Sequence, residues 1–537
     1  MRRLLLVASI VFPAAGCGSE QPPSPATRWS AAQAVGPAFE VAPYYSTVHA
    51  PGRQIFTAPR VTWTGGTAVA VWSDLWRRMW AAQLGSTGVW TPPVSIASPN
   101  RVPPSPTACS PFPCTGEPAL GGEAALVNVP GGAQAFWQQT WYTDGPGIWS
   151  AASPPGGAWS APHGQQALPR GSVQGPVAKS AASQAIVAWQ LTYVDSTIWA
   201  QRYGAGAPLA VATRLRSGDP FWLSTPAVDI DAAGTAVVVW NDLDGVHARW
   251  YSAAGGWGPD RVLPGADTFC PVVALDGAGG AIAAWRELTN PELVESDSLV
   301  SVARLTPDGG WEARESTTNP SFRSGCPQIA SASSGDAVLV WANAGANRGL
   351  FARPMEGHAG PVRKIAGFDA AHEITSLRVA MDGGGNGYVA WIRARTDTSV
   401  TGTYSVRPPS GTVWASHFVN GGAEWEVPEA LQGSSSSQSD VATMIDIAVD
   451  ADGSALAFWF EFESSTSMFT PWAAELSAGE VVQALRAHAP TGPAPRASAR
   501  ARSGEPARHR AASSGLPLSR RRTRGAAPRR GLPGPRR

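Results

Sequence analysis

Short apolar runs that end in tryptophan recur along most of the chain. The clearest repeat spans Pro226 to Trp240 and contains an extended segment, the turn Asp231-Ala-Ala-Gly234 and the run Thr-Ala-Val-Val-Val-Trp240. Alternating or continuously apolar runs of this length are typical of half-buried or buried strands. Similar phrases end at Trp72, Trp137, Trp189, Trp285, Trp341, Trp391 and Trp459. The pattern therefore divides the body of the chain into eight repeats.

Two further phrases subdivide each repeat. One phrase, in its model form Ile198-Trp199-Ala200, follows the repeat tryptophan. Its counterparts are Met79-Trp80-Ala81, Ile148-Trp149-Ser150, Val246-His247-Ala248, Val302-Ala303-Arg304, Leu350-Phe351-Ala352, Val413-Trp414-Ala415 and Pro471-Trp472-Ala473. The other places a tryptophan shortly after glycine, at Trp90, Trp159, Trp257, Trp311 and Trp425. Each repeat thus holds four short extended segments joined by turns.

This organisation predicts an all-β fold, a β-propeller of seven or eight four-stranded blades. The repeat tryptophans recur about every 55 residues, a spacing close to the blade length of propeller families. A string of separate β-sandwiches is the alternative, but about four strands per repeat are too few for an independent sandwich. The phrase Arg28-Trp29-Ser-Ala-Ala resembles a closing phrase, Ala158-Trp159-Ser-Ala-Pro. We therefore expect the segment before the first repeat to supply the outer strand of the last blade.

The first 17 residues have the order of an export signal. Arg2 and Arg3 precede an apolar run from Leu4 to Ala15 that is too short to span a bilayer, and Ala14-Ala15-Gly16-Cys17 follows. This ending resembles the lipobox of bacterial lipoproteins, which implies that Cys17 becomes the lipidated N-terminus. We expect a bacterial cell-envelope protein, periplasmic or on the cell surface, with 1–17 as signal peptide, 18–40 as tether and ring-closing strand, and 41–486 as propeller.

Charge is unevenly distributed, and the C-terminal segment is compositionally distinct. Residues 487–537 contain 13 Arg and one Glu among Pro, Ala, Gly and Ser, which predicts a disordered tail. The whole chain carries +1, so the basic tail and the two N-terminal arginines leave the body, 18–486, at −13. An acidic body argues against nucleic-acid binding by the fold.

The turns and repeated tryptophans resemble those of sialidase-type and BNR-repeat propellers, at a distance. The resemblance covers roughly 57–486, but the Ser-x-Asp-x-Gly-x-x-Trp box of that family is intact in no repeat. In the closest turns the tryptophan follows the glycine by six residues, as Trp240 follows Gly234. The arginine triad and Tyr/Glu pair of a sialidase have no motif support here, so the resemblance implies a fold and not an activity.

Candidate ligand contacts come from two places. Trp76, Arg77 and Arg78 form an aromatic and basic segment that suits stacking on a sugar or an acidic partner, although packing is the alternative. Two residues after each repeat tryptophan stands a mostly polar set: Asp74, Gln139, Leu191, Asp242, Glu287, Asn343, Arg393 and Glu461. We expect most of these residues to be solvated ends of strands. Asp242 and Glu287 are the candidate ligand contacts among them.

The remaining chemistry-bearing residues have mainly structural interpretations. His247 replaces the tryptophan of sister repeats and is expected to be a structural substitute. Asp450-Ala-Asp452-Gly453 resembles a fragment of a calcium loop but is better explained as a hairpin turn. Cys109 and Cys114 flank a proline-rich loop and are candidates for a small disulfide. Cys270 and Cys326 each precede the proline that opens a repeat, which predicts a disulfide between adjacent blades.

These observations favour a binding or scaffolding function over catalysis. Nucleophile-elbow, zinc-protease and phosphate-loop motifs do not occur, and no cofactor or metal site is predicted. The leading hypothesis is a lipid-anchored extracytoplasmic binding protein, monomeric, with carbohydrate or protein as ligand and the membrane as its second partner. The alternative is a secreted glycan-active enzyme, a hydrolase or lyase that uses acidic groups on one face.

Overall fold

In the computed structural model, the regular secondary structure of the described residues consists of β-strands. Those residues are 29–40, 58–73, 79–97, 121–141, 145–167, 172–192, 196–204, 207–218, 223–265, 267–289, 298–308, 310–317, 323–344, 347–355, 360–395, 411–419, 425–431, 441–463 and 468–477. No described helix is long and apolar enough to cross a membrane.

Two short strands precede the first four blades. The N-terminal segment forms Gln33–Ala34 (β1) and Phe39–Glu40 (β2). The strands of blades one to four, in chain order, are Arg60–Thr64 (β3), Thr67–Ser73 (β4), Met79–Leu84 (β5), Val94–Ser95 (β6); Gly121–Val129 (β7), Gly132–Trp141 (β8), Gly145–Ser153 (β9), His163–Ala167 (β10); Ser172–Ala181 (β11), Gln184–Thr192 (β12), Ser196–Gly204 (β13), Ala207–Pro208 (β14), Thr213–Gly218 (β15); Ala227–Ile230 (β16), Ala236–Asp242 (β17), Gly245–Ser252 (β18), Gly256–Trp257 (β19) and Arg261–Pro264 (β20).

Blades five to eight repeat this plan. Their strands, in chain order, are Thr268–Leu275 (β21), Ala281–Leu288 (β22), Ser298–Leu305 (β23), Glu315–Ser316 (β24); Arg323–Ser324 (β25), Gln328–Ser331 (β26), Ala337–Ala344 (β27), Gly349–Pro354 (β28), Arg363–Gly367 (β29); His372–Met381 (β30), Gly387–Arg395 (β31), Gly411–Phe418 (β32), Glu429–Ala430 (β33); Val441–Val449 (β34), Ala455–Glu463 (β35) and Met468–Leu476 (β36).

Each blade is an antiparallel meander, and the innermost strands close into a ring. The inner strands β3, β7, β11, β16, β21, β26, β30 and β34 each contact the next, and β34 contacts β3 again. Eight hydrophobic clusters lie at the eight seams between neighbouring blades. The propeller prediction is confirmed, and the blade number, left open between seven and eight, is eight.

The tryptophan that ends the apolar run of each second strand is the largest recurring core residue. All eight are at most 2% exposed, and seven of them are among the largest fully buried side chains. Each lies directly opposite a residue of the third strand: Trp72 with Trp80, Trp137 with Trp149, Trp189 with Trp199, Trp240 with His247, Trp285 with Ser301, Trp341 with Phe351, Trp391 with Trp414, and Trp459 with Trp472. These cross-strand pairs fix the register between the two central strands of a blade.

The fifth repeat differs from the predicted register. Its counterpart of Trp199 was predicted to be Ala303 but is Ser301, because Trp285 pairs with Ser301 in the ladder. The prediction was two residues out of register. It rested on the composition of Val302-Ala303, which resembles the sister phrases, whereas the register is set by the pairing of β22 with β23. A small hydroxyl residue therefore stands where most other blades carry an aromatic ring.

Asp-x-x-Gly turns join the first and second strands in several blades. The Asp450 Oδ1 atom accepts hydrogen bonds from the backbone N–H groups of Asp452 and Ser454, at 3.0 and 2.7 Å. Gly453 adopts a φ of +88°, a left-handed conformation that favours glycine. Asp382 caps its own turn in the same way through Gly384 and Asn386. The turn interpretation of Asp450-Ala-Asp452-Gly453 agrees with this geometry.

Two carboxylates near the axis, the buried Asp229 and the half-buried Asp446, tie inner strands together. Asp229 Oδ2 accepts hydrogen bonds from the Leu275 amide of blade five at 2.7 Å and from the Ser331 hydroxyl of blade six at 3.2 Å. Burial raises the pKa of Asp229. Asp446 of blade eight accepts from the Val61 amide of blade one at 3.0 Å. These contacts link neighbouring blades at the centre of the ring.

The N-terminal segment completes blade eight. β1 pairs with β36, where Gln33 faces Ala473, and Trp29 forms a bridge with Leu476. The Val35 amide donates to the Pro471 carbonyl at 2.8 Å. Trp29 is buried between blades seven and eight, and Val35 between blades eight and one. The last blade thus takes its outer strand from the start of the chain.

We expect a charge at Val35 to destabilise the whole ring. Val35→Asp buries a carboxylate in the seam between blades eight and one, so the free energy of unfolding should fall by about 3 kcal/mol or more. Ala34→Asp, at the exposed position just before Val35, is the matched control and should change it by less than about 0.5 kcal/mol. Thermal and urea unfolding measure both. Equal stability of the two variants would contradict closure by this segment.

Candidate functional site

One face of the ring collects the chain connections that vary most in length. Because adjacent strands in a blade are antiparallel, second-to-third connections and blade-to-blade connections lie on the same face, which we call the loop face. In the sequence, 25 residues separate the end of β6 from the start of β7, two strand ends on this face, whereas only two residues, 65–66, join β3 to β4 on the opposite face. Long connections on a rigid scaffold are common sites of binding.

Two of the five predicted ligand contacts, Asp242 and Glu287, lie on this face within the described residues. Asp242 ends β17, and Glu287 lies next to the last residue of β22, so both are at second-strand ends. Trp76, Arg77 and Arg78 lie outside the described residues.

Several members of the polar set at the second-strand ends are buried or paired within the protein, while Asp74 and the side chain of Gln139 lie outside the described part. Glu287 accepts hydrogen bonds from the Ser301 hydroxyl at 2.9 Å and from Arg314 Nη1 at 2.8 Å. Glu461 accepts from the Trp459 indole at 3.0 Å and is 9% exposed. Asn343 is also buried and bonds to Ser324, and Leu191 is buried. For these four residues the prediction of solvated strand ends was wrong, because neighbouring side chains cover them or form hydrogen bonds with them.

Blade five illustrates how a missing ring creates a polar contact. Ser301 occupies the position opposite Trp285, and its hydroxyl donates to Glu287, two residues beyond that tryptophan. Arg314, near the outer strand of the same blade, neutralises the carboxylate. Glu287 is therefore held within its own blade by two partners.

His247 lies at the centre of the most highly charged cluster among the described residues. Its ring is fully buried and stacks on Trp240, with centroids 5.5 Å apart and planes within 11°. Its Nδ1 atom is 3.1 Å from both carboxylate oxygens of Asp260, and its Nε2 atom is 2.7 Å from Asp244 Oδ1. The stack agrees with the expectation of a substitute for tryptophan, while the paired carboxylates add a role that the expectation did not include.

Arg216 of blade three connects this cluster to the neighbouring blade. Its Nη2 atom is 3.0 Å from Asp242 Oδ2 and 3.9 Å from Asp244 Oδ1, and its Nη1 atom is 3.3 Å from Asp260 Oδ2. The Asp242 side chain is 6% exposed, so the pair with Arg216 is largely shielded from water. One guanidinium thus bridges three carboxylates across the seam between blades three and four.

The surroundings favour the charged forms of His247 and Asp244. Burial acts to lower the pKa of His247, but hydrogen bonds and charges from Asp260 and Asp244 outweigh it and raise the pKa above its usual value. For Asp244, desolvation acts to raise the pKa, yet the contacts with His247 and Arg216 lower it overall. An aspartate held ionised in this way is poorly suited to act as a general acid.

Asp242, Asp244 and His247 also have the composition of a metal site. Each places one possible ligand atom within 4.8 Å of the others. Arg216, however, already places a positive charge beside both carboxylates, and His247 is positioned between two aspartates. The charge that a divalent ion would supply is therefore present in the protein. Arg216, Asp244 and Asp260 were missed in the sequence, where only the histidine in place of tryptophan marked the cluster.

Two of the five cysteines lie within the described residues. Cys270 and Cys326 form a disulfide with their Cα atoms 5.8 Å apart, joining the entrances of the inner strands of blades five and six. The same seam holds a hydrogen bond from the Ser298 hydroxyl to the Ser324 carbonyl at 2.8 Å. Cys17, Cys109 and Cys114 lie outside the described residues.

Comparisons with solved structures support no particular activity. The BP39L lectin from Burkholderia pseudomallei is 12% identical, with a TM-score of 0.40 over 65% of this chain and 94% of the lectin. Polysaccharide lyase Uly1 is 10% identical, with a TM-score of 0.33 over 57% of this chain and 90% of the lyase. The endo-arabinase from Bacteroides thetaiotaomicron is 11% identical, with a TM-score of 0.27 over 47% of this chain and 92% of the arabinase. No protein-family model matches the chain, and no curated protein matches its sequence.

A double-mutant cycle on Arg216 and Asp242 tests the contact between blades three and four. Arg216→Met and Asp242→Asn each remove one partner of a shielded ion pair, so we expect a coupling free energy of about 1 kcal/mol in urea unfolding. Arg353 and Glu315 form the control pair at 3.4 Å, with the Glu315 side chain 63% exposed, and should show coupling near zero. Coupling near zero at both pairs would contradict a shielded contact at this seam.

Proposed function

We propose that this protein is an exported, lipid-anchored β-propeller that binds an external carbohydrate or protein ligand on its loop face. The observation that carries the proposal is that the polar second-strand ends, with Asp242 and Glu287, lie on the same face as the strand ends that are separated by the longest stretches of sequence. The sequence segment Trp76-Arg77-Arg78, between β4 and β5, supplies the candidate anchors of the proposal. Aromatic and arginine side chains at such a surface are common anchors for ligands. On the opposite face, the first-to-second turns at Asp382 and Asp450 are short and are capped by their own aspartates.

The ion pairs formed by the carboxylates at the second-strand ends favour binding over glycan cleavage. Glycoside hydrolases of the common type need two acidic groups on either side of the scissile bond, one of them protonated. At the described strand ends, Asp242 is paired with Arg216 and Glu287 with Arg314 and Ser301. Asp244 has a lowered pKa. Asp242 and Glu287 are thus engaged in ion pairs within the protein, and glycan turnover remains the competing function.

Export is supported by the disulfide between blades. Disulfides persist in oxidising compartments outside the cytosol. The Cys270–Cys326 bond fits the export signal that ends at Cys17. Two independent features of the chain therefore favour the cell envelope as its location.

Ligand binding is tested with the full chain carrying Cys17→Ser, on a glycan array and against solubilised envelope proteins. We expect a saturable ligand, with Kd raised about 10-fold or more by Trp76→Ala, because an aromatic anchor contributes roughly 1–3 kcal/mol. Val89→Ser, at a 65% exposed position in a connection of the opposite face, is the control and should leave Kd unchanged. Equal effects of both variants would contradict the loop face as the site. Turnover of a bound glycan, abolished by Glu287→Gln, would favour the enzyme.

The lipid anchor is tested by fractionating a bacterium that expresses the full chain. The unaltered protein should sediment with membranes and incorporate labelled palmitate, since more than one acyl chain gives stable anchoring. Cys17→Ser should abolish the label, whereas Cys109→Ser should retain it. Label incorporated equally in the Cys17→Ser protein would exclude this residue as the lipidated position.

A further inference from the structure

The hairpin between β17 and β18 contains a buried imidazole with a carboxylate at each ring nitrogen. Asp260 lies at Nδ1 of His247 and Asp244 at Nε2, at 3.1 and 2.7 Å. An ionised carboxylate only accepts hydrogen bonds, and a neutral imidazole carries a single N–H. Both contacts are therefore satisfied only when His247 carries two ring protons. Loss of one proton leaves a lone pair facing an anion.

We propose that the hairpin turn Asp242–Gly245 is a proton-controlled element of the loop face, docked while His247 is an imidazolium and released when His247 becomes neutral. The proton leaves Nε2 for water, and the Asp244 carboxylate then turns away from the ring. The proposal rests on the geometry of the cluster and is independent of the identity of the ligand.

Asp244 is the partner that moves because it is the less firmly held of the two. Its side chain is 57% exposed, against 25% for Asp260. Asp260 also has Arg216 at 3.3 Å, whereas Arg216 lies 3.9 Å from Asp244. Rotation into water costs the Asp244 carboxylate little, since water replaces its hydrogen bond. Asp260 stays and retains the Nδ1 proton.

The charges around His247 favour the same outcome. The ring is faced by Asp244 in the hairpin, by Asp260 and Val262 at the outer strand, by Trp240 on β17, and through the carboxylates by Asp242 and Arg216. With His247 charged, three carboxylates face two cations, which leaves a net charge of −1. With His247 neutral, only Arg216 remains against the three, so repulsion on Asp244 increases.

The direction of the pH dependence follows from the raised pKa of His247. Below its ordinary value of 6.5 the histidine is charged in both the folded and unfolded chain, and the stabilisation is fully present. The stabilisation is lost as pH rises through the higher pKa of the folded protein. The hairpin should therefore be docked under acidic conditions and released under alkaline ones.

The test combines histidine NMR with hydrogen exchange on the full chain carrying Cys17→Ser. With ¹³C-labelled histidine rings, we expect the His247 signal to titrate with a midpoint above 6.5. Protection factors of the amides in 242–245 should fall about 10-fold or more across that midpoint. His247→Phe, the residue that blade six carries as Phe351, should remove the step, and His372→Phe should retain it.

Asp244→Asn provides a second variant in case the phenylalanine disturbs the stack. It removes the mobile anion, so the His247 midpoint should shift down by about one pH unit, which corresponds to a roughly 10-fold weaker hold on the proton. A midpoint at or below 6.5, or hairpin protection that ignores the His247 titration, would overturn the proposal. Stoichiometric Zn²⁺ binding that requires His247 and restores hairpin protection after chelation would also overturn it, since a metal would then be the controlling cation.

Discussion

The fold depends on the contact between the tryptophan of each second strand and the residue opposite it on the third strand. Trp189 faces Trp199 and Trp459 faces Trp472, with the second-strand ring buried in each case. Each such ring buries a large apolar area and holds the register of its hairpin. Removing one would cost about 3–5 kcal/mol. Because this contact recurs in every blade, eight short meanders with little charge assemble into one continuous core.

Closure of the ring follows from a different constraint. A single blade exposes two faces and an edge, so each blade is stable only between neighbours. Seven seams form between blades that follow one another in the chain, but the eighth joins the last blade to the first. The segment from Trp29 to Val35 lies at that point and packs against blades seven, eight and one. The Asp446 contact with Val61 adds an axial link at the same seam.

The sequence predicted the features that follow from the repeat and missed contacts that depend on single substitutions within it. Regular tryptophan spacing indicated the blades, and the likeness of Trp29 to Trp159 indicated the closing strand. The cluster around His247 was not foreseen because Arg216 comes from another blade and has no counterpart in sister repeats. Ser301 was misplaced because composition alone does not set a register. Single substitutions that break the repeat are therefore the best sequence markers of specific chemistry in this fold.

Hydrogen exchange at residues 29–40 tests most directly whether the eight-bladed ring is closed by its own N-terminal segment. The Ser30 and Val35 amides donate to the carbonyls of Glu475 and Pro471 at 2.7 and 2.8 Å. We predict that both exchange at least about 100-fold more slowly than in an unstructured peptide, as ladder amides do. Exchange at the free-peptide rate, with the inner strands still protected, would contradict closure by this segment.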